Sequence, residues 1–335
     1  MDNKPIISFV VPVYNRPAEV EELLESLVAQ PQGDFEVVIV EDGSTQRCDH
    51  IVEHYSAQLS IIYIYKDNSG PGPSRNAGAE RARGQYCVFL DSDVVLPPGY
   101  MQALLRSLHE HPADFFGGPD RAHASFTPMQ KAINYAMTSP FTTGGIRGGG
   151  EKLDRFLPRS FNMGVSALAY RSVDGFAPMR FGEDIDLSLR LLEAGFQSRL
   201  YPDAWVWHKR RTDLRKFFRQ VYNSGIARIN LHKRHPGSLK LVHLLPTAFT
   251  LGLLGLLLLA ALTRCCWWLL PLVLFALLIG VHASASNRSL SIGLLAIAAS
   301  TVQLLGYGSG LLVAWWRQCV CGKGQFTAFE RTFYK

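Results

Sequence analysis

Acidic residues nearly vanish from the last third of this chain. Residues 209–240 hold ten Lys and Arg against a single Asp, and residues 241–335 hold six against a single Glu. Residues 1–208 lean the other way, with 18 basic against 26 acidic side chains. The net charge of +6 is therefore local to one segment, which excludes a nucleic-acid-binding domain. Cysteine is sparse too: Cys48, Cys87, Cys265, Cys266, Cys319 and Cys321 show no zinc spacing and no disulfide framework. No G-x-G-x-x-G follows the first apolar run and no G-x-x-x-x-G-K-[ST] occurs. The dinucleotide fingerprint and the phosphate loop are both excluded. That first run, Ile6–Val13, is too short for a signal peptide, so the first two-thirds are expected to stay in the cytoplasm.

What is present begins with alternation. Apolar strands are predicted over Ile6–Val13, Phe35–Val40, Leu59–Tyr65 and Gln85–Leu90. Helices are predicted between them, from Pro17 with a Val20, Leu23, Leu24, Leu27 stripe, over Cys48–Gln58, and over Ser74–Arg81. Such alternation implies an α/β domain with a parallel sheet covered on both faces. The fourth strand ends in Asp91-Ser92-Asp93, and ligands of open α/β sheets bind where strands end. Backbone alternation points the two carboxylates the same way, which is costly without a cation between them. One reading is a hard divalent cation, Mg²⁺ or Mn²⁺, held together with a substrate diphosphate. The other is a strand end capped by turn-forming Asp residues.

Taken in order, Val11-Pro12-Val13-Tyr14-Asn15, Glu41-Asp42-Gly43-Ser44, Ser74-Arg75-Asn76-Ala77-Gly78 and Phe89-Leu90-Asp91-Ser92-Asp93 resemble a family 2 glycosyltransferase of GT-A (Rossmann-like) fold. Asn162-Met163-Gly164, Gly175-Phe176, Gly182-Glu183-Asp184 through Arg190, and Trp207-His208 continue the resemblance, which covers roughly residues 5–235. It implies that Asp42 contacts a nucleotide base, with Pro12, Tyr14 and Arg75 helping to bind the nucleotide. It further implies that Asp93 ligates the metal, with Asp91 assisting on the nucleotide side and His208 completing the site. Neutral imidazole suits Mn²⁺ better than Mg²⁺. Glu41, where relatives often have Asp, and Gln46, likewise, depart from the pattern. So does Pro71-Gly72-Pro73, expected to stiffen the loop before Arg75. These departures bear on the identity of the base.

The acceptor half is less regular. Gly144–Gly150 is either a mobile cover for the donor or a plain linker, and Phe161–Ala169 reads as a strand whose Asn162 could touch the sugar. Gly182-Glu183-Asp184 opens a helix, where an Asp is stabilised as an anion and could be a simple cap. The resemblance implies instead that Asp184 is the base for the attacking hydroxyl, with Glu183 beside it at the substrate and Asp186 structural.

The tail turns apolar. Thr212–His235 reads as a basic amphipathic helix suited to an anionic bilayer surface. Leu244–Leu262, Trp267–Ser286 and Ser289–Trp316 carry no Asp, Glu, Lys or Arg, and each is long enough to span a bilayer. Runs so free of charge argue against a pore or transporter. Trp267, Trp268, Trp315 and Trp316 lie at run ends, as interfacial aromatics do. The basic segment before the first run places that side in the cytoplasm. Gly306, Gly308 and Gly310 allow the last run to bend back; three spans are expected. The domains are read as 1–210 catalytic, 211–240 interface helix, 241–317 membrane helices and 318–335 tail.

Together these readings imply a multi-pass enzyme of the cell membrane. It would move a sugar from a nucleotide-sugar donor to a hydroxyl of a lipid-linked or membrane-proximal glycan, and the resemblance implies that the anomeric carbon is inverted. Membrane lipids are expected partners. A polyprenyl-phosphate sugar synthase is the alternative, and a non-catalytic nucleotide-sugar-binding scaffold the second.

Overall fold

The computed structural model describes residues 4–31, 35–123, 125–143, 156–209 and 211–326. The glycine-rich stretch 144–150, expected as a donor cover, lies outside the described residues. In chain order the first elements are β1 (Ile7–Val13), α1 (Pro17–Val28), β2 (Phe35–Asp42), α2 (Asp49–Tyr55), β3 (Ile61–Lys66), α3 (Pro71–Arg81) and β4 (Tyr86–Leu90). Next come β5 (Val94–Val95), α4 (Tyr100–Glu110), β6 (Phe115–Gly117), β7 (Asp120–Arg121), α5 (Pro128–Thr138) and α6 (Pro140–Thr143). There follow β8 (Asn162–Ser166), α7 (Ala167–Ser172), α8 (Glu183–Glu193), β9 (Ser198–Leu200) and β10 (Val206–His208). The last are α9 (Leu214–Arg234), α10 (Leu245–Thr263), α11 (Leu270–Asn287) and α12 (Leu290–Trp315).

These elements sort into two compact units, one built from residues up to 121 and from the 151–208 stretch, the other from 122–150 and 209–325. In the first unit, among the described residues, the larger sheet has seven strands in the order β3-β2-β1-β4-β8-β6-β9. β3, β2, β1 and β4 pair in parallel, as the alternation implies. β8 runs antiparallel to both β4 and β6, so the sheet is mixed and not wholly parallel. No single crossover helix leads into β8, so the handed strand–helix–strand rule does not constrain its direction. β2 is buried at all eight positions, because helices cover both faces and leave no polar side to alternate with.

Two elements begin or end where local chemistry dictates. α3 starts at Pro71 and not at Ser74, after Gly70 with φ 96°. Both prolines then fall in a first turn whose N–H groups have no helical partner to lose. Pro71-Gly72-Pro73 is thus the helix start and not a stiffened loop. β8 stops at Ser166, whose hydroxyl accepts from Ala169 N (3.2 Å) and starts α7. A second, three-stranded sheet, β5-β10-β7, packs His208 opposite Val94 and Val206 opposite Asp120.

In the second unit α12 is the common partner. Its last run does not bend back at the glycines but continues as one helix. Each glycine admits a different neighbour: Gly306 meets Val221 and Phe218, Gly310 the Tyr222 carbonyl, and Gly308 the Pro246 carbonyl and Thr250. α9 therefore spends its apolar stripe on α12: Phe217, Val221, Ile226 and Ile229 are buried, while Arg215, Lys216 and Arg219 stay exposed. Those four members of the stripe expected to lie on a bilayer are covered by protein, while Phe218 stays exposed. Asp213 caps α9, accepting from Lys216 N at 2.8 Å. α5, read from sequence as part of the catalytic half, belongs to this unit, where Tyr135 Oη lies 2.8 Å from His282 Nδ1 of α11. Among the described residues, three helical segments, Leu241–Thr263, Cys266–Asn287 and Leu290–Val320, are long and apolar enough to cross a membrane.

Candidate active site

The order of the larger sheet reverses between β1 and β4, and the crevice outside such a switch point is where open α/β sheets hold ligands. Tyr14, Asn15 and Arg16 leave the end of β1; Asp91 and Asp93 leave the end of β4. Asn15 adopts a left-handed φ of 52°, which asparagine tolerates. Its Oδ1 accepts from Thr45 N (2.8 Å) and Gln46 N (2.9 Å), tying the turn after β1 to the loop after β2. Pro12 and Tyr14 are half-buried on this rim.

The small sheet delivers the histidine. Opposite Val94, His208 sits with Nε2 3.2 Å from Asp93 Oδ1 and Nδ1 3.6 Å from Asp120 Oδ2, its ring stacked on Phe161 at 4.9 Å. Asp91, Asp93 and His208 each offer a ligand atom, and those atoms lie within 4.8 Å of one another. Two carboxylate oxygens and an imidazole nitrogen fit a divalent ion, and the imidazole favours Mn²⁺ over Mg²⁺. The expected ligand set is brought together.

Two arginines neutralise the same carboxylates. Arg16 Nη1 donates to Asp93 Oδ2 at 2.6 Å. Burial works to raise the Asp93 pKa, but the imidazole of His208 and the guanidinium of Arg16 outweigh it and hold the carboxyl well below the usual range. Arg75, buried on α3, donates through Nη2 to Asp91 Oδ1 (2.7 Å) and through Nη1 to Glu183 Oε1 (3.0 Å). One guanidinium thus joins the Asp91 end of the rim to the acidic pair that opens α8. Burial, and next the charge of Asp184, push Glu183 up to about 7, against the pull of Arg75.

Asp184 divides its oxygens. Oδ1 accepts from Ile185 N (2.8 Å), as a capping carboxylate would, while Oδ2 lies 3.5 Å from Arg159 Nη1 and 3.4 Å from Ser160 N. Asp186 is wholly buried and paired with Arg190 at 2.9 Å, a structural role as expected.

Two residues expected at the substrate are tied into the protein's own hydrogen bonds. Asn162 faces inward and is 2 % exposed: its Nδ2 donates to the Ala204 carbonyl (2.8 Å) and its Oδ1 accepts from Tyr100 Oη (2.7 Å). Both polar atoms of its amide are engaged within the protein. Asp42 is 1 % exposed, with Oδ1 taken by Lys66 Nζ (2.6 Å) and Ser69 N (2.9 Å) and Oδ2 by Gly70 N (2.8 Å). Its carboxylate anchors the loop into α3. Glu41 is a buried pillar as well, accepting at Oε2 from Cys48 N (2.9 Å), Cys48 Sγ (2.9 Å) and Tyr63 Oη (3.1 Å). Burial, with Glu41 beside it, drives the Cys48 thiol far above its usual range. Arg16, Asp120 and Arg159 escaped the sequence reading. Arg16 directly follows Tyr14-Asn15 and could have been read as a rim cation; Asp120 and Arg159 carry no local signal.

Comparison with known proteins bears on the family and the fold. Residues 8–175 match the model for "Glycosyl transferase family 2", and residues 154–280 that for "Glycosyl transferase family group 2". An uncharacterized glycosyltransferase of Bacillus subtilis, EpsJ, is 32% identical over 146 residues, 42% of this chain and 42% of its own. Validoxylamine A glucosyltransferase of Streptomyces hygroscopicus subsp. jinggangensis is 37% identical over 113 residues, 32% of this chain and 26% of its own. The chain thus spans less than half the length of these relatives. A solved mannosyltransferase from Pyrobaculum calidifontis, in complex with GDP-Man and Mn²⁺, is similar in fold. Its TM-score is 0.63 at 17% identity, over 90% of this chain and 88% of that one. The mixed sheet is accordingly that of the GT-A nucleotide-sugar transferases, followed by helices that could span a membrane. The family match runs from β1 through the turn after α7, half of the chain, and on it the chain belongs to glycosyl transferase family 2.

Proposed function

We propose that this chain is a membrane-bound inverting glycosyltransferase of the cytoplasmic face. It moves a sugar from a nucleoside diphosphate donor to a hydroxyl of a lipid-linked or membrane-proximal glycan. The observation that carries this reading is Arg75, whose one guanidinium holds Asp91 at 2.7 Å and Glu183 at 3.0 Å. Through it the carboxylate suited to a divalent ion and the acidic pair suited to a proton share one rim. A divalent ion held by Asp91, Asp93 and His208 would neutralise charge on the leaving diphosphate.

The chain's own residues do the remainder. Arg75 and Arg16 supply positive charge where the diphosphate departs. Asp184 accepts the proton of the acceptor hydroxyl as the oxygen bonds to the anomeric carbon. The bond from that carbon to the diphosphate oxygen breaks on the opposite side, and its electron pair leaves with the diphosphate. The basic segment 209–240 and the three apolar helices favour a membrane-embedded chain with this unit in the cytoplasm. The full-length protein, incubated with a panel of nucleotide sugars, Mn²⁺ or Mg²⁺ and a membrane lipid extract, should release a nucleoside diphosphate and glycosylate a lipid. The GDP-Man of the Pyrobaculum enzyme is the first donor to try. No turnover of any donor would defeat the proposal.

A second reading has one observation in its favour. Arg159 lies 3.5 Å from Asp184 and is suited to an acceptor that is itself an anion, such as polyprenyl phosphate. Such an acceptor needs no base, so an Asp184→Asn enzyme that keeps most of its activity would support the synthase.

A further inference from the structure

Asp91 and Asp93 both carry an arginine, but the two arginines are held differently. Arg75 is 3 % exposed and clasped between two carboxylates from different elements. Arg16 has a third of its side chain exposed, and its guanidinium hydrogen-bonds to Asp93. It stands at the N-cap position of α1, yet its side chain makes no capping bond there. Its carbonyl accepts from Val20 N at 3.1 Å as α1 begins, so a move of its guanidinium away from Asp93 would be a move of the side chain. A divalent ion entering between Asp91, Asp93 and His208 meets a guanidinium already hydrogen-bonded to Asp93 Oδ2. Two cations on one half-buried carboxylate repel each other.

We propose that Arg16 is the resident cation of this site, satisfying Asp93 while the site is empty and yielding it when a divalent ion binds. The proposal rests on the reading that Asp91, Asp93 and His208 hold such an ion. Without Arg16 the half-buried Asp93 would keep only the His208 imidazole (3.2 Å) against its charge, and a poorly compensated charge is costly; with Arg16 in place the carboxylate is satisfied and binds ions weakly. A donor diphosphate changes the balance, because its phosphates offer the displaced guanidinium another anion. Capture of the ion is thereby tied to arrival of the donor.

Mn²⁺ binding to the full-length protein without nucleotide, followed by electron paramagnetic resonance of the free ion, tests this. Arg16→Gln should bind Mn²⁺ at least tenfold more tightly than wild type, while Arg16→Lys should stay within about threefold of it. Adding GDP or UDP should narrow the gap between Arg16→Gln and wild type. Arg16→Ala provides the same neutral test if Arg16→Gln does not fold. Asp93→Asn separates the two ideas. If Asp93→Asn abolishes Mn²⁺ binding while the neutral Arg16 variants bind no more tightly than wild type, the resident-cation proposal is overturned and the metal site stands. If Asp93→Asn binds Mn²⁺ as wild type does, the metal-site reading itself fails.

Discussion

Glu183 offers a test in which sign and size both follow from its surroundings. Burial and the adjacent Asp184 raise its pKa from 4.5 to about 7 on folding. The folded state therefore holds the proton over a range in which the unfolded chain has released it. The resulting stabilisation is fully present below pH 4.5 and is lost as pH rises through 7. A displacement of this size corresponds to roughly 3 kcal/mol between the two limits. Glu183→Gln removes the titration. Losing the ion pair to Arg75 shifts the variant's stability by an offset, so the quantity to read is the change with pH. Melting of the full-length protein in detergent, wild type and Glu183→Gln, should be followed from pH 4 to pH 8. Wild type should lose about 6 °C relative to the variant across that span, taking about 2 °C per kcal/mol for a large domain. A difference in melting temperature that stays constant with pH would refute the reasoning. It would mean that Arg75 outweighs burial and keeps Glu183 ionised.

Three further outcomes are expected. Asp184→Asn should keep donor affinity within a few-fold while turnover falls at least about 100-fold, the usual scale for a general base; equilibrium donor binding and single-turnover rates check it. Asn162→Ala strands the Tyr100 hydroxyl and the Ala204 carbonyl, which should cost about 2–4 kcal/mol in a denaturant titration with no change in donor KM. Gly78→Ala drives a Cβ into Val10 and to 3.0 Å from Val40, so it should destabilise by about 1–3 kcal/mol and lower the melting temperature.

Much of the fold was legible because burial on both faces writes strands as continuous apolar runs, as in Val37–Val40. The proximity of three residues was legible through the motif blocks, which point to Asp91, Asp93 and His208 together, although β10 brings the histidine back from more than a hundred residues away. The direction of β8 was not legible, since pairing direction leaves no mark on a five-residue strand that is almost wholly buried. Nor was the fate of Asn162 and Asp42. Which way an amide or a carboxylate turns depends on partners distant in sequence, Tyr100 and Ala204 for one, Ser69 and Gly70 for the other. α9 misled for a related reason. A stripe of Phe217, Val221, Ile226 and Ile229 looks the same whether lipid or the glycines of α12 will cover it.

The central claim is that a cation held at Asp91, Asp93 and His208 serves sugar transfer. It is tested most directly by sugar transfer from a nucleotide donor to membrane lipid, measured with Mn²⁺, with chelator, and with Asp93→Asn. The account predicts transfer in the first case and a loss of at least about 100-fold in the other two. Transfer that survives both chelation and Asp93→Asn at the wild-type rate would contradict it.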